Sequence, residues 1–292
     1  MLNGLLEPLG FEFMRNAIAI AVIMGVLCAV IGSYLIVQRM GLLGDVIAHA
    51  VLPGLAIAFF LGVDIFIGAF ISGTISTFVI AWIQAQSRIK VDVAMALVFS
   101  GFLALGIALI TILKSKLDLH SFLFGDILSV TGSDVIRTLA IAVAVLFVVF
   151  IFYRELLFYT FDPLAAQAMG LPVTWIQVGL NAAITLTIIA SMQAVGVVLV
   201  VALLIGPAIT AYLLVKELHQ MMMLGAVFGV IASISGMYIS YYWNIPSGAA
   251  IVLVVCLLFL VALLFSPSQG ILTRPKAASR SAQRLLTHLR RN

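Results

Sequence analysis

Asp45 and His49 stand four residues apart in Gly41-Leu42-Leu43-Gly44-Asp45-Val46-Ile47-Ala48-His49-Ala50-Val51-Leu52-Pro53-Gly54, a stretch otherwise apolar enough to sit in lipid. On a helix, positions i and i+4 share a face, so the carboxylate and the imidazole would point the same way. Oxygen plus imidazole nitrogen suits a divalent first-row ion such as Mn²⁺, Fe²⁺ or Zn²⁺, whereas thiolates would favour softer ions. Ionisable side chains at membrane depth are costly and by default mark a pathway or a site. Two plainer readings stand beside this one. Asp45 could N-cap the helix that follows it, and a lone histidine on an apolar helix can be hydrogen-bonded packing. Two ligands are also too few for tight capture. A symmetric dimer with this helix near its axis would supply two carboxylates and two imidazoles.

The elements that must position the pair are membrane helices. Of 292 residues, 64% are hydrophobic and 9% charged, against about 25% charged in average soluble proteins. Such a chain cannot cover a globular surface with polar groups, so the expected class is an all-α polytopic membrane protein. The first span is expected over 16–37, the second from Gly44 to about Leu61, the third over 65–84 and the fourth over 93–113. Each is near the roughly 20 residues that cross the hydrocarbon core. Residues 114–134 are too polar to span and read as an amphipathic piece on the outer surface. A fifth span follows over 135–152, then a polar stretch over 153–172. The uncharged run between Asp162 and Lys216 holds two spans, split near Ser191-Met192-Gln193. Two more are divided by Tyr241-Tyr242-Trp243-Asn244-Ile245-Pro246, an aromatic belt followed by a breaker. The last ends near Phe265.

That makes nine spans, or eight if the second is broken or re-entrant. The first 270 residues read as one transmembrane domain, and 271–292 as a flexible basic tail. Six of the fifteen lysines and arginines follow Gly270, which places the C-terminus in the cytoplasm by the positive-inside rule. Counting back, Arg39, Arg88, Lys90, Arg154 and Lys216 fall inside, while Arg15, Lys114, Lys116 and Arg137 fall outside. The net charge of +4 thus reflects orientation and lipid contact, not nucleic-acid binding. Met1 to Met14 is expected at an interface, with no removable signal peptide. Cys28 and Cys256 lie in apolar runs and read as small core- or lipid-facing residues.

Two further motifs stand out. In Phe161-Asp162-Pro163-Leu164-Ala165-Ala166-Gln167-Ala168-Met169-Gly170-Leu171-Pro172, Asp162 reads as N-cap, Pro163 as N1, Gly170 as C′ and Pro172 as the stop. That is a helix of about two turns on the cytoplasmic side (158–173 with its flanks). It is either an ordinary surface helix or a docking helix for a cytoplasmic partner. In the apolar run from Gly196 to Ala211, Pro207 removes a helical hydrogen bond beside Gly206, making the pair a kink and a hinge candidate. Asp118, His120 and Asp126 are better explained by a solvated outer segment than by a second metal cluster. No G-x-x-x-x-G-K-[ST] occurs, so this chain has no P-loop and is not expected to be an enzyme.

At these residues the chain resembles the permease subunit of the zinc/manganese/iron-type metal ABC transporters, the ABC-3 family. The resemblance rests on Gly32-Ser33-Tyr34-Leu35-Ile36-Val37-Gln38-Arg39, Leu43-Gly44-Asp45 and His49-Ala50-Val51-Leu52-Pro53-Gly54. It continues through Asp162 to Gly170 and Gly206-Pro207, covering nearly the whole chain. Phe11 to Asn16 and His120 to Asp126 look most like cyanobacterial-type manganese permeases. The resemblance implies a type II-importer-like permease fold in a bacterial plasma membrane and a homodimer. It further implies two cytoplasmic ABC ATPase subunits that hydrolyse ATP and an extracytoplasmic metal-binding protein. It implies metal along the path at Asp45 and His49, with no permanently bound cofactor, and coupling to the ATPase through Asp162, Pro163, Ala166, Met169 and Gly170. The expected function is ATP-driven import of a divalent metal, Mn²⁺ first, with Zn²⁺ or Fe²⁺ as the alternative. A proton-coupled secondary transporter using Asp45 and His49 as a relay, or a passive channel, would be the rival from another class.

Overall fold

Apolar sequence with almost no charge can satisfy its backbone in lipid only as helix, and helix is what forms. The computed structural model of the chain describes residues 7–113, 125 and 127–266. Among them are α1 (Glu12–Val37), α2 (Leu43–Ala50), α3 (Leu52–Leu61), α4 (Ile65–Gln86), α5 (Val91–Ile112) and α6 (Gly132–Ile151). The chain continues through α7 (Tyr153–Phe161), α8 (Pro163–Ala168), α9 (Val173–Val195), α10 (Val197–Leu214), α11 (Leu218–Trp243) and α12 (Ser247–Phe265). Among the described residues nine segments are long and apolar enough to cross a membrane, the second being Leu43–Leu61.

That second span is not one clean helix. Pro53 has no N–H to offer the carbonyl of His49, so one rung of the ladder is lost and the helix is divided at Val51, although the Val51 N–H still donates to Ile47 and its carbonyl accepts from Leu55. Val51 nevertheless keeps right-handed helical angles (φ −75°, ψ −19°), so the chain carries on in nearly the same direction. By length and composition the count among the described residues is nine.

Three boundaries differ from expectation, each for a local reason. First, α1 begins at Glu12 rather than Asn16, and Met14, expected at an interface, is buried in its first turn. Second, α6 starts at Gly132 because Thr131 and Asp134 form a reciprocal capping box. Third, α9 runs through Ser191 and Met192 to Val195, breaking only at Gly196 with φ +81°. Ser191 is fully buried and donates to the Thr187 carbonyl at 2.6 Å, so its polarity is absorbed within the bundle. The expected outer surface piece at 114–124 and Asp126 lies outside the described residues, as does the basic tail.

Packing divides the spans into two groups. One gathers α10, α11 and α12 around α1 and the other gathers α2 to α5, with α9 touching both. In lipid there is no hydrophobic drive between helices, so close approach of small residues does the work. A Cβ on Gly25 would fall 2.8 Å from the Gly229 backbone, and one on Gly54 only 2.0 Å from the Gly68 carbonyl oxygen. Hydrogen bonds from hydroxyls to carbonyls of other helices add to this, Ser233 to Ala21 at 2.7 Å in the first group and Ser72 to Ala50 at 2.6 Å in the second.

Candidate functional site

The helix that carries the pair begins at Leu43, and Asp45 makes no capping hydrogen bond. The capping explanation of Asp45 therefore fails. Its carboxylate instead faces His49, with Oδ1 3.5 Å from Nδ1. The same Nδ1 lies 3.0 Å from the Asp45 carbonyl oxygen. A carbonyl can only accept, so this contact is a hydrogen bond in the Nδ1–H tautomer, the one that leaves the Nε2 lone pair to bind a ligand. Binding a histidine ring through a backbone carbonyl is how metal-ligating imidazoles are commonly oriented.

Neighbouring contacts pack the helix that carries the pair against three others. A Cβ on Gly44 would meet the Leu204 side chain of α10, Ile47 lies against Gly73 of α4, and the His49 ring meets Phe99 of α5 edge-on at 5.0 Å. At 1.5 Å per residue, Leu204 sits roughly 15 Å from the Leu214 end of α10, and Phe99 roughly 12 Å from the Val91 end of α5. The surrounding side chains Leu43, Val46, Ile47 and Ala48 are buried, yet the Asp45 side chain is 45% exposed and that of His49 19%. The pair thus looks out from an apolar wall onto an uncovered face of the chain. Among the described residues no cluster of three or more His, Cys, Asp or Glu forms, so one copy offers a divalent ion two side chains.

The remaining residues singled out in the sequence fall elsewhere. Asp162 caps α8, its Oδ1 accepting from the Ala165 N–H at 2.9 Å, with Pro163 in the first position. At the other end Gly170 takes φ +82°, and its N–H and that of Leu171 donate back to Gln167 and Ala166. Both caps match the sequence reading. Ala166 is buried while Leu164 and Met169 are exposed, so the short helix holds on by one side and presents an apolar other. Pro207 lies inside α10, and a Cβ on Gly206 would fall 2.0 Å from the Val255 side chain of α12. Glycine at 206 is therefore a packing requirement. Cys28 is buried and Cys256 exposed. Asp118, His120 and Asp126 lie outside the described residues.

A separate cavity of about 280 Å³ is lined by Asp134 and Arg137 among others. Arg137 lies 3.8 Å from the Asp64 carboxylate and over the Phe66 ring at 5.0 Å. Sequence reasoning missed Phe99, the aromatic wall beside His49. It is one of nineteen phenylalanines in the chain, and nothing in the sequence distinguishes it.

Comparison with known proteins points one way. The profile described as the ABC 3 transport family matches residues 10–266. The manganese transport system membrane protein MntC of Listeria innocua is 45% identical over 275 residues, covering 94% of this chain and 97% of that one. The chelated iron transport system membrane protein YfeD of Yersinia pestis is 38% identical over 271 residues, covering 93% and 91%. Among solved structures, PsaBC from Streptococcus pneumoniae in complex with Fab superposes with a TM-score of 0.83 at 41% identity, over 92% of this chain and 98% of that chain.

Proposed function

This chain belongs to the ABC 3 transport family, and from that premise we propose that it is the permease subunit of an ATP-driven importer whose cargo is Mn²⁺. It is a multi-pass protein of the bacterial plasma membrane. The observation that carries the reading is the Asp45–His49 pair: a carboxylate and an oriented imidazole on one helical face, deep among apolar spans. With two copies related by a two-fold axis, two oxygens and two Nε2 atoms would converge on the ion. Weak, incomplete coordination suits transport, because the ion must leave as readily as it arrives. The ion is delivered from an extracytoplasmic binding protein and pauses at this pair. ATPase subunits below, seated on α8 through Met169 and its neighbours, then close and turn the path inward, with α10 yielding at Gly206 and Pro207.

Manganese is preferred because the relative of higher identity is named for it. Fe²⁺ is the second reading, supported by the relative named for chelated iron. The same ligand types accept Zn²⁺ too, so the donor set does not rank the three. The test is uptake of radiolabelled Mn²⁺ into vesicles carrying this subunit with its ATPase and binding protein, with and without ATP and under excess Fe²⁺ or Zn²⁺. ATP-dependent accumulation that resists competition is expected. ATP-dependent accumulation of iron or zinc instead would replace the cargo. Accumulation driven by a proton gradient alone would overturn the reading.

A further inference from the structure

A second polar feature lies where α1, α7, α10 and α11 meet at the cytoplasmic side. A cavity of about 530 Å³ opens there, lined by Arg39, Lys216, Thr160 and Tyr212, with Val215 and Phe161 among its apolar walls. Both cations are exposed, and among the described residues neither has a carboxylate partner. The nearby Glu217 is engaged by His219 at 3.2 Å and Gln220 at 3.0 Å, and Asp162 by its cap. Thr160 accepts from the Gln38 amide at 3.3 Å, which leaves its own hydroxyl proton to donate.

The backbone at Arg39 adds an independent observation. Arg39 is the residue after the α1 C-cap and takes φ +58°. Its N–H donates to Ile36 at 3.1 Å and that of Met40 to Leu35 at 2.8 Å, closing the helix in a double-bonded turn where glycine is the low-energy residue. An arginine is held in that unfavourable conformation at the mouth of the cavity. The depth matters as well. Val37 ends one span, Leu214 another, and Leu218 begins a third, so the cavity lies at the ends of three spans, the level at which the headgroup region is expected.

We propose that this cavity binds the phosphate of an anionic phospholipid headgroup in the inner leaflet. Arg39 and Lys216 would contact the phosphate, Thr160 and Tyr212 would donate to its oxygens, and the apolar walls would lie along the glycerol and the first methylenes. Basic pockets between transmembrane helices on the cytoplasmic side are a recurring form of such recognition. This site is independent of the cargo and of the Asp45–His49 pair.

The experiment is thermal unfolding of the purified permease–ATPase complex in detergent, titrated with phosphatidylglycerol, phosphatidylcholine or inorganic phosphate. Phosphatidylglycerol is expected to raise the midpoint and phosphatidylcholine to leave it unchanged. Arg39→Gly suits the left-handed position and should fold. Arg39→Gly and Lys216→Gln should each weaken the phosphatidylglycerol response about fivefold, and together abolish it. Arg39→Lys should retain most of it. An undiminished response in the double variant would overturn the site. An equal shift with inorganic phosphate would overturn the lipid as its source. Loss of the ATPase from the double variant, with the lipid response intact, would make the cavity a subunit contact and overturn the proposal.

Discussion

At residue scale the two candidate ligands divide their roles by geometry. His49 has Nδ1 occupied by the carbonyl of Asp45, so its metal-binding capacity resides in Nε2, while Asp45 supplies charge. Asp45→Asn keeps shape and hydrogen-bonding capacity but removes the anion, and His49→Ala removes the nitrogen and the contact with Phe99. Each is expected to lower ATP-dependent Mn²⁺ uptake by on the order of 10–100-fold or more, with co-purification of the ATPase unchanged. Normal uptake in both variants would remove the pair from the path. The residue types and their i, i+4 spacing were legible in the sequence. That Asp45 is not a cap was not, because the helix could have begun at Val46 as easily as at Leu43.

At the scale of elements, the α3–α4 contact is set by the close approach of Gly54 and Gly68. A Cβ on Gly68 would meet the Gly54 carbonyl oxygen at 2.3 Å. Gly68→Val is expected to cost about 1–3 kcal/mol through overpacking, seen as a lower unfolding midpoint in detergent. Gly101→Val, where nothing lies within 4 Å, should leave the midpoint unmoved. The short helix α8 makes a different demand. Its caps are local and could be read from Asp162, Pro163 and Gly170 in order, but which side faces out depends on the burial of Ala166 against the bundle. Met169→Asp on the outward side should leave the permease folded and lower both ATPase retention and uptake. Unchanged retention and uptake would show that α8 is not the docking helix.

At the scale of the molecule, the described residues of a single chain bring two ligands to the pair, and they look out from an uncovered face. If a second copy completes the site, the two copies are not independent. In a covalently linked dimer, His49→Ala in one copy alone should lower uptake far below half, approaching the loss of the doubly substituted form. Retention of about half the activity would mean that each copy conducts alone. The split into two helix groups, with α2 in one and Leu204 of the other beside Gly44, suits a motion of one group against the other around the pair.

Sequence by itself determined an all-α membrane protein of nine or eight spans, an orientation expected from its charge asymmetry, and the two residue types whose spacing could hold a metal. Those conclusions follow from hydropathy, charge asymmetry and helical periodicity, all of which are local along the chain. Only the tertiary structure decided depth. Asp45 follows closely on a polar turn and so stands near the start of a span, yet the residue before it packs against Leu204, well inside α10. The small residues at 32 and 44 let α1 and α2 close against Leu204, and that packing draws the start of α2 inward. Packing also placed Arg39 and Lys216, residues 177 positions apart in the sequence, on the lining of one cavity. Helix pairing, which no local pattern encodes, made them one site.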